Sequence, residues 1–165
     1  MMDKILQKGF IVEIRNSNGE VFDIEPSRNR IKKLQDVAEY ISSMSLDDIR
    51  ESLSKEGLPN MIAISEDHAK YCEFEYRRWL FLRRKFEGET LPPSLDIDIM
   101  WHAHILDTVA YHEMCDHVFG YYFHHNPYFG GDTGEPKKRL DSAFENTMIR
   151  YKETFGYDPR VKAGK

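Results

Sequence analysis

Apolar positions recur along this chain with two periods. Between residues 10 and 24 they alternate, so that Phe10 to Ile14 and Val21 to Ile24 read as strands joined by the turn signal Asn16-Ser17-Asn18-Gly19. Pro26 and Ser27 close this hairpin, and Ser27 offers a helix N-cap. From Ile31 the spacing becomes helical, through Leu34, Val37 or Ala38, and Ile41. Ser45 is the expected cap of a short helix carrying Leu46, Ile49 and Leu53, which ends before Gly57-Leu58-Pro59. Ser65, followed by the acids Glu66 and Asp67, starts a long helix expected to reach Phe86, with Gly88 beyond. Another helix begins after Pro92-Pro93-Ser94, and Asp107 is the expected cap of a further one over Thr108 to Phe119, stopped by Gly120. Leu140, Phe144, Met148, Tyr151 and Phe155 form a final helical stripe closed by Gly156. The pattern predicts a mainly α fold: a single-domain helical bundle with a small N-terminal β-hairpin. The hairpin covers 10–24, the helical core 28–156 and a tail 157–165.

Composition narrows the function classes. With 165 residues, 41% hydrophobic and 31% charged, the chain has the make-up of one soluble globular domain and not of a disordered segment. The formal charge of −5 argues against a nucleic-acid coat. No apolar run approaches the roughly 18–20 residues that a membrane helix needs, and the first residues lack the apolar stretch of a signal peptide. Two cysteines, Cys72 and Cys115, are too few for a disulfide framework, which points to a reducing cytoplasmic setting.

Of seven histidines, six fall between His102 and His125. On a helix each residue turns by about 100°. Ile97, Trp101 and His104 therefore share one face, and Asp98 stands one turn ahead of His102 on another. His102 and His104 lie about 200° apart and point in nearly opposite directions. The Asp98/His102 pair, by contrast, can present a carboxylate and an imidazole side by side. The aromatic segment Tyr121 to Phe129 can carry His124 or His125 back over these helices, which would complete two imidazoles and one carboxylate, a set suited to non-haem iron(II) or zinc. Asp98, His102 and one of His124 and His125 are thus the candidate metal ligands, with His104, Tyr111 and Trp101 in support.

Plainer readings stand beside this one. His104 lies in an apolar stripe and suits a hydrogen-bonded core histidine. His112 and His117 read as solvated helix residues, with His112/Asp116 a surface pair. Cys115 shares the inward face of Tyr111 and suits a buried, inert thiol. The basic run Arg77 to Lys85 has aromatics within it, yet a basic helix end that complements the macrodipole explains it. Gly130-Gly131-Asp132-Thr133-Gly134 lacks the ending of a phosphate loop.

The segment Trp101-His102-x-His104-x-Leu106, continuing through Tyr111 and Cys115 to Phe119-Gly120, resembles the central motif of the glycine-rich domain-containing protein-like family. Asp98 matches the acid that precedes its Trp-His-x-His signature, and His124-His125-x-Pro127-Tyr128-Phe129-Gly130 is similar to the continuation in short bacterial members. The resemblance covers about Leu91 to Gly130. Many relatives carry proline where Thr108 stands, which suits a helix start there. Plant members have an aspartate where this chain has Met114, so no role is carried to that position. The long glycine-rich tail of the family is missing. What the resemblance implies is kinship; it supplies no reaction.

The expectation is therefore a small metal-binding protein, with metal-dependent catalysis on an unidentified small molecule as its extension. The alternative is a non-catalytic interaction module. There the Trp-His-x-His cluster is a buried hydrogen-bond network, and Tyr121 to Phe129 is the surface that meets a protein partner.

Overall fold

Three side chains fix the starts of three helices. Ser65 accepts the backbone N–H of His68 at 3.2 Å, Ser94 that of Ile97 at 3.4 Å, and Asp107 that of Ala110 at 3.3 Å. The computed structural model describes residues 12–15, 21–59, 61–126, 129–130 and 133–160. Among them the helices are α1 Leu34–Ser43, α2 Asp47–Lys55, α3 Glu66–Lys85, α4 Leu95–Leu106, α5 Thr108–Val118 and α6 Gly134–Phe155. The fold is mainly α.

α3 is the central helix, with α1, α2, α4 and α6 packed around it. Its buried Tyr76, Trp79 and Leu80 meet Val37 and Ile41 of α1, Leu53 of α2, Met100 and Trp101 of α4, and Tyr151 of α6 in one core. Each such side chain contributes roughly 1.5–3 kcal/mol on burial. Polar ties set the helix register. Trp79 donates its indole N–H to the Leu91 carbonyl at 2.9 Å, and Tyr151 donates its hydroxyl to the Glu75 carbonyl at 3.0 Å. Past α6, Gly156 caps the helix at φ 80°, and Tyr157 turns back to donate to the buried Glu75 carboxylate at 2.8 Å. Both cysteines are reduced and buried. Burial pushes the Cys72 thiol up to about 12 and the Cys115 thiol up to about 11.

Residues 25–33 fasten the far end of α5. Ser27 donates its N–H to the Gly120 carbonyl at 2.7 Å, and Ile31 donates to the His117 carbonyl at 2.8 Å. The Arg30 guanidinium holds both oxygens of Glu87, at 3.0 and 2.6 Å, and the Phe119 carbonyl at 2.8 Å. Glu87 also accepts the Tyr121 hydroxyl at 2.9 Å.

Two expectations are corrected. Ser27 does not cap a helix: its hydroxyl accepts from Asn29 at 3.2 Å in a turn, and α1 starts later because Ile31 is committed to α5 and Arg84. Ser45 is not a cap either, for α2 starts at Asp47 behind the buried Leu46 with no side-chain cap bond. The expected hairpin over 10–24 falls largely outside the described residues. Backbone pairing sets Val12–Arg15 antiparallel to Val21–Ile24, but residues 10–11, the turn and the strand side chains lie outside the described residues. A lone two-stranded pair is marginal in water.

Candidate metal centre

α4 delivers the first two groups. Its Ser94 cap places Asp98 in the opening turn, where the helix macrodipole favours a carboxylate, and His102 follows one turn later. The Nδ1 atom of His102 lies 3.2 Å from Asp98 Oδ2 and donates to the Asp98 carbonyl at 2.7 Å. His125 brings its Nε2 atom to 3.1 Å from Asp98 Oδ1. The two imidazole rings meet edge to face with centroids 4.4 Å apart. One ligand atom from each of the three residues lies within 4.8 Å of the other two. His125 is the most enclosed, with 18% of its side chain exposed against 31% for Asp98 and 46% for His102.

Position 125 is reached by an extended stretch after Gly120. Along it burial alternates: Tyr121, Phe123 and His125 are half-buried, whereas Tyr122, His124 and Asn126 are exposed. Phe123 fixes the phase. Its ring stacks on Trp101 at 5.4 Å and on Phe119 at 4.7 Å, and its N–H points at the Cys115 sulfur at 3.4 Å. Two residues on, His125 lies against Trp101 with ring centroids 4.4 Å apart. His124 faces the other way and packs on Tyr122 at 4.7 Å. Of the two candidates from this segment, the geometry brings His125 to Asp98 and leaves His124 apart.

Beneath the trio is a buried polar network. Trp101 donates its indole N–H to the Tyr111 hydroxyl at 2.9 Å, and Tyr111 donates in turn to the Phe123 carbonyl. His104, only 1% exposed, shares a hydrogen bond of 2.9 Å with the Tyr76 hydroxyl and sits edge-on to Tyr111. Burial lowers the His104 imidazole to about 4, so that it is neutral at physiological pH. The same burial holds the Tyr111 and Tyr76 hydroxyls far above their ordinary value. His104 therefore lies on the core side of α4, and His102 lies on the open side.

The remaining sequence candidates are placed elsewhere. His117 stacks on Tyr40 at 5.0 Å, while His112 is exposed beside Tyr122. Asp116 accepts from the Asn29 side chain at 2.6 Å. In the basic run, Arg77 binds the carbonyls of Ile41 and Met44, Arg83 that of Glu89, and Arg84 that of Ile31. One convergence was not anticipated: His68, Cys72 and Asp96 also place ligand atoms within 4.8 Å of one another. The i, i+4 spacing of His68 and Cys72 was a legible signal for it.

The family described as UCP032817-like matches residues 38–136, more than half of the chain and the whole of the site described above. The chain belongs to this UCP032817-like family. It is also similar to glycine-rich domain-containing protein 1 of Arabidopsis thaliana, at 30% identity over 104 residues, and to glycine-rich domain-containing protein 2 of the same plant, at 34% over 105 residues. Each match takes in 63% of this chain but only 12% and 13%, respectively, of the plant proteins, so the chain corresponds to a small part of their length. These matches agree with the kinship that the Trp-His-x-His segment indicates. No solved structure matches this UCP032817-like chain.

Proposed function

We propose that this protein binds a divalent transition metal, iron(II) or zinc, through Asp98, His102 and His125. The observation that carries the reading is the convergence of the three ligand atoms within 4.8 Å, at contacts of 3.1 and 3.2 Å to the shared carboxylate. Ligand atoms bound at about 2 Å to one ion stand about 2.9–3.6 Å apart, so little movement is needed. His102 would exchange its bond to the Asp98 carbonyl for the ion, its ring proton moving to Nε2 with no change in charge. Trp101, Tyr111 and His104 support the site by holding α4 and the His125 segment in place.

Half-exposed His102 leaves part of the ion's surroundings to solvent. Open positions of this kind admit water, dioxygen or a substrate oxygen, and a bound ion supplies Lewis-acid or redox chemistry there. Metal-dependent catalysis on a small molecule is the extension of the reading. The reduced, buried thiols fit a cytoplasmic setting within one folded domain. No helix among the described residues is long and apolar enough to cross a membrane.

A second reading is favoured by the internal bonding of Trp101, His104 and Tyr111 together with the exposed Tyr122 and Phe129. On it the network only fixes the helix junction, and the aromatic segment meets a protein partner. Metal analysis of untagged protein separates the two. About one equivalent more of iron or zinc in wild type than in His102→Ala supports the metal reading, as does a chelator-induced fall in melting temperature that is larger in wild type than in that variant. Transition-metal contents of the two proteins that agree within about 0.2 equivalents overturn it, because a resident ligand set retains its ion through purification.

A further inference from the structure

The opening turn of α4 carries two acids, Asp96 and Asp98, about 200° apart around the helix axis. Asp98 belongs to the site above. Asp96 faces α3, where His68 and Cys72 stand one turn apart behind the Ser65 cap. The His68 Nε2 atom is 2.6 Å from Asp96 Oδ1, and the Cys72 sulfur completes a group whose members all lie within 4.8 Å. Burial grades inward: His68 and Asp96 have 41% and 37% of their side chains exposed, and Cys72 none.

We propose that His68, Cys72 and Asp96 form a second metal site, one for a thiophilic divalent ion such as zinc. It does not depend on the Asp98 site. An imidazole, a carboxylate and a thiolate together suit zinc, cadmium or cobalt and exclude the oxygen-seeking magnesium and calcium. The ion binds as the thiol releases its proton to solvent, and sulfur becomes the inner ligand. The His68–Asp96 contact must widen from 2.6 Å to the roughly 3.3–3.6 Å between ligands on a tetrahedral ion. Both side chains sit at the surface and can swing outward, whereas Cys72 is anchored in the core. Three ligands on one side leave the fourth position to water.

Cobalt(II) titration of the full chain tests this, because a sulfur–cobalt bond has a ligand-to-metal charge-transfer band in the near ultraviolet that nitrogen and oxygen ligands do not give. The band is expected in wild type and, undiminished, in His102→Ala, which removes only the other site. It is expected to vanish in Cys72→Ser and to require at least about tenfold more cobalt in His68→Ala, a surface change that leaves the core intact. Absence of the band in wild type overturns the proposal. So does its persistence in Cys72→Ser, which would assign the sulfur to Cys115, and so does a His68→Ala titration identical to wild type. A wild-type protein that gives the band yet holds no metal at Asp98, His102 and His125 would overturn the proposed function and leave this second site standing.

Discussion

The Tyr111 hydroxyl accepts the indole N–H of Trp101 at 2.9 Å and donates its own hydrogen bond to the Phe123 carbonyl. One oxygen thus connects α4, α5 and the extended stretch that carries His125. Its removal leaves a buried indole N–H and a carbonyl without their partner. Tyr111→Phe is expected to destabilise the fold by about 1–3 kcal/mol, with or without chelator. If the stretch is positioned through this bond, metal affinity falls as well. Urea denaturation and a zinc titration of the same variant check both effects.

Asp98 is shared by His102 and His125 and is partly open to solvent. Asp98→Asn keeps the shape and removes the charge. Stability is expected to change by no more than about 1 kcal/mol, as for other half-exposed polar contacts. Metal affinity should fall by more than the roughly 10–100-fold that the loss of a supporting partner causes. Calorimetric titration with zinc reads the second effect and thermal melting the first.

His104 makes the fold sensitive to mild acid. Its imidazole drops from an ordinary 6.5 to about 4 on folding because burial disfavours the charged form. Between those two values the unfolded chain binds the extra proton, so stability rises with pH across that window. The contribution is complete above about pH 6.5 and is lost as pH falls toward 4, amounting to about 2–3 kcal/mol. Melting temperatures at pH 7 and pH 5 should differ more for wild type than for His104→Gln, which has no proton to bind there.

Gly120 has φ 78°, and a Cβ added there would stand 2.7 Å from Pro26 Cβ and 2.9 Å from Arg30 Cβ. Both the backbone angle and the space require glycine at this position. Gly120→Ala is expected to cost about 2 kcal/mol or more, by left-handed strain and by pushing residues 26–30 off α5. Denaturant midpoints measure the cost, and hydrogen exchange at Ser27 and Ile31 locates it.

Local chemistry made the helices legible. Ser65 and Asp107 start their helices and Gly156 closes the last one as expected, and the helix expected after Ser94 begins there; all of these depend only on neighbouring residues. The same locality made Asp98 and His102 a readable pair and put His104 on the opposite side. Ser27 and Ser45 failed as caps because tertiary ties governed those stretches: Ile31 is claimed by α5, and Leu46 is drawn into the core. The choice between His124 and His125 was open in principle to the period of two that Phe123 anchors, once the stretch is taken as extended. Asp96 beside His68 had no such signal, since it depends on how α4 crosses α3.

Arg30 grips the start of the aromatic stretch at the Phe119 carbonyl while grasping Glu87, which in turn holds Tyr121. An arginine ahead of the first helix thereby acts as a buckle for the stretch that ends at His125. Its loosening would be felt at an imidazole it never touches, so the reach of this centre into the chain extends well before the histidine cluster begins.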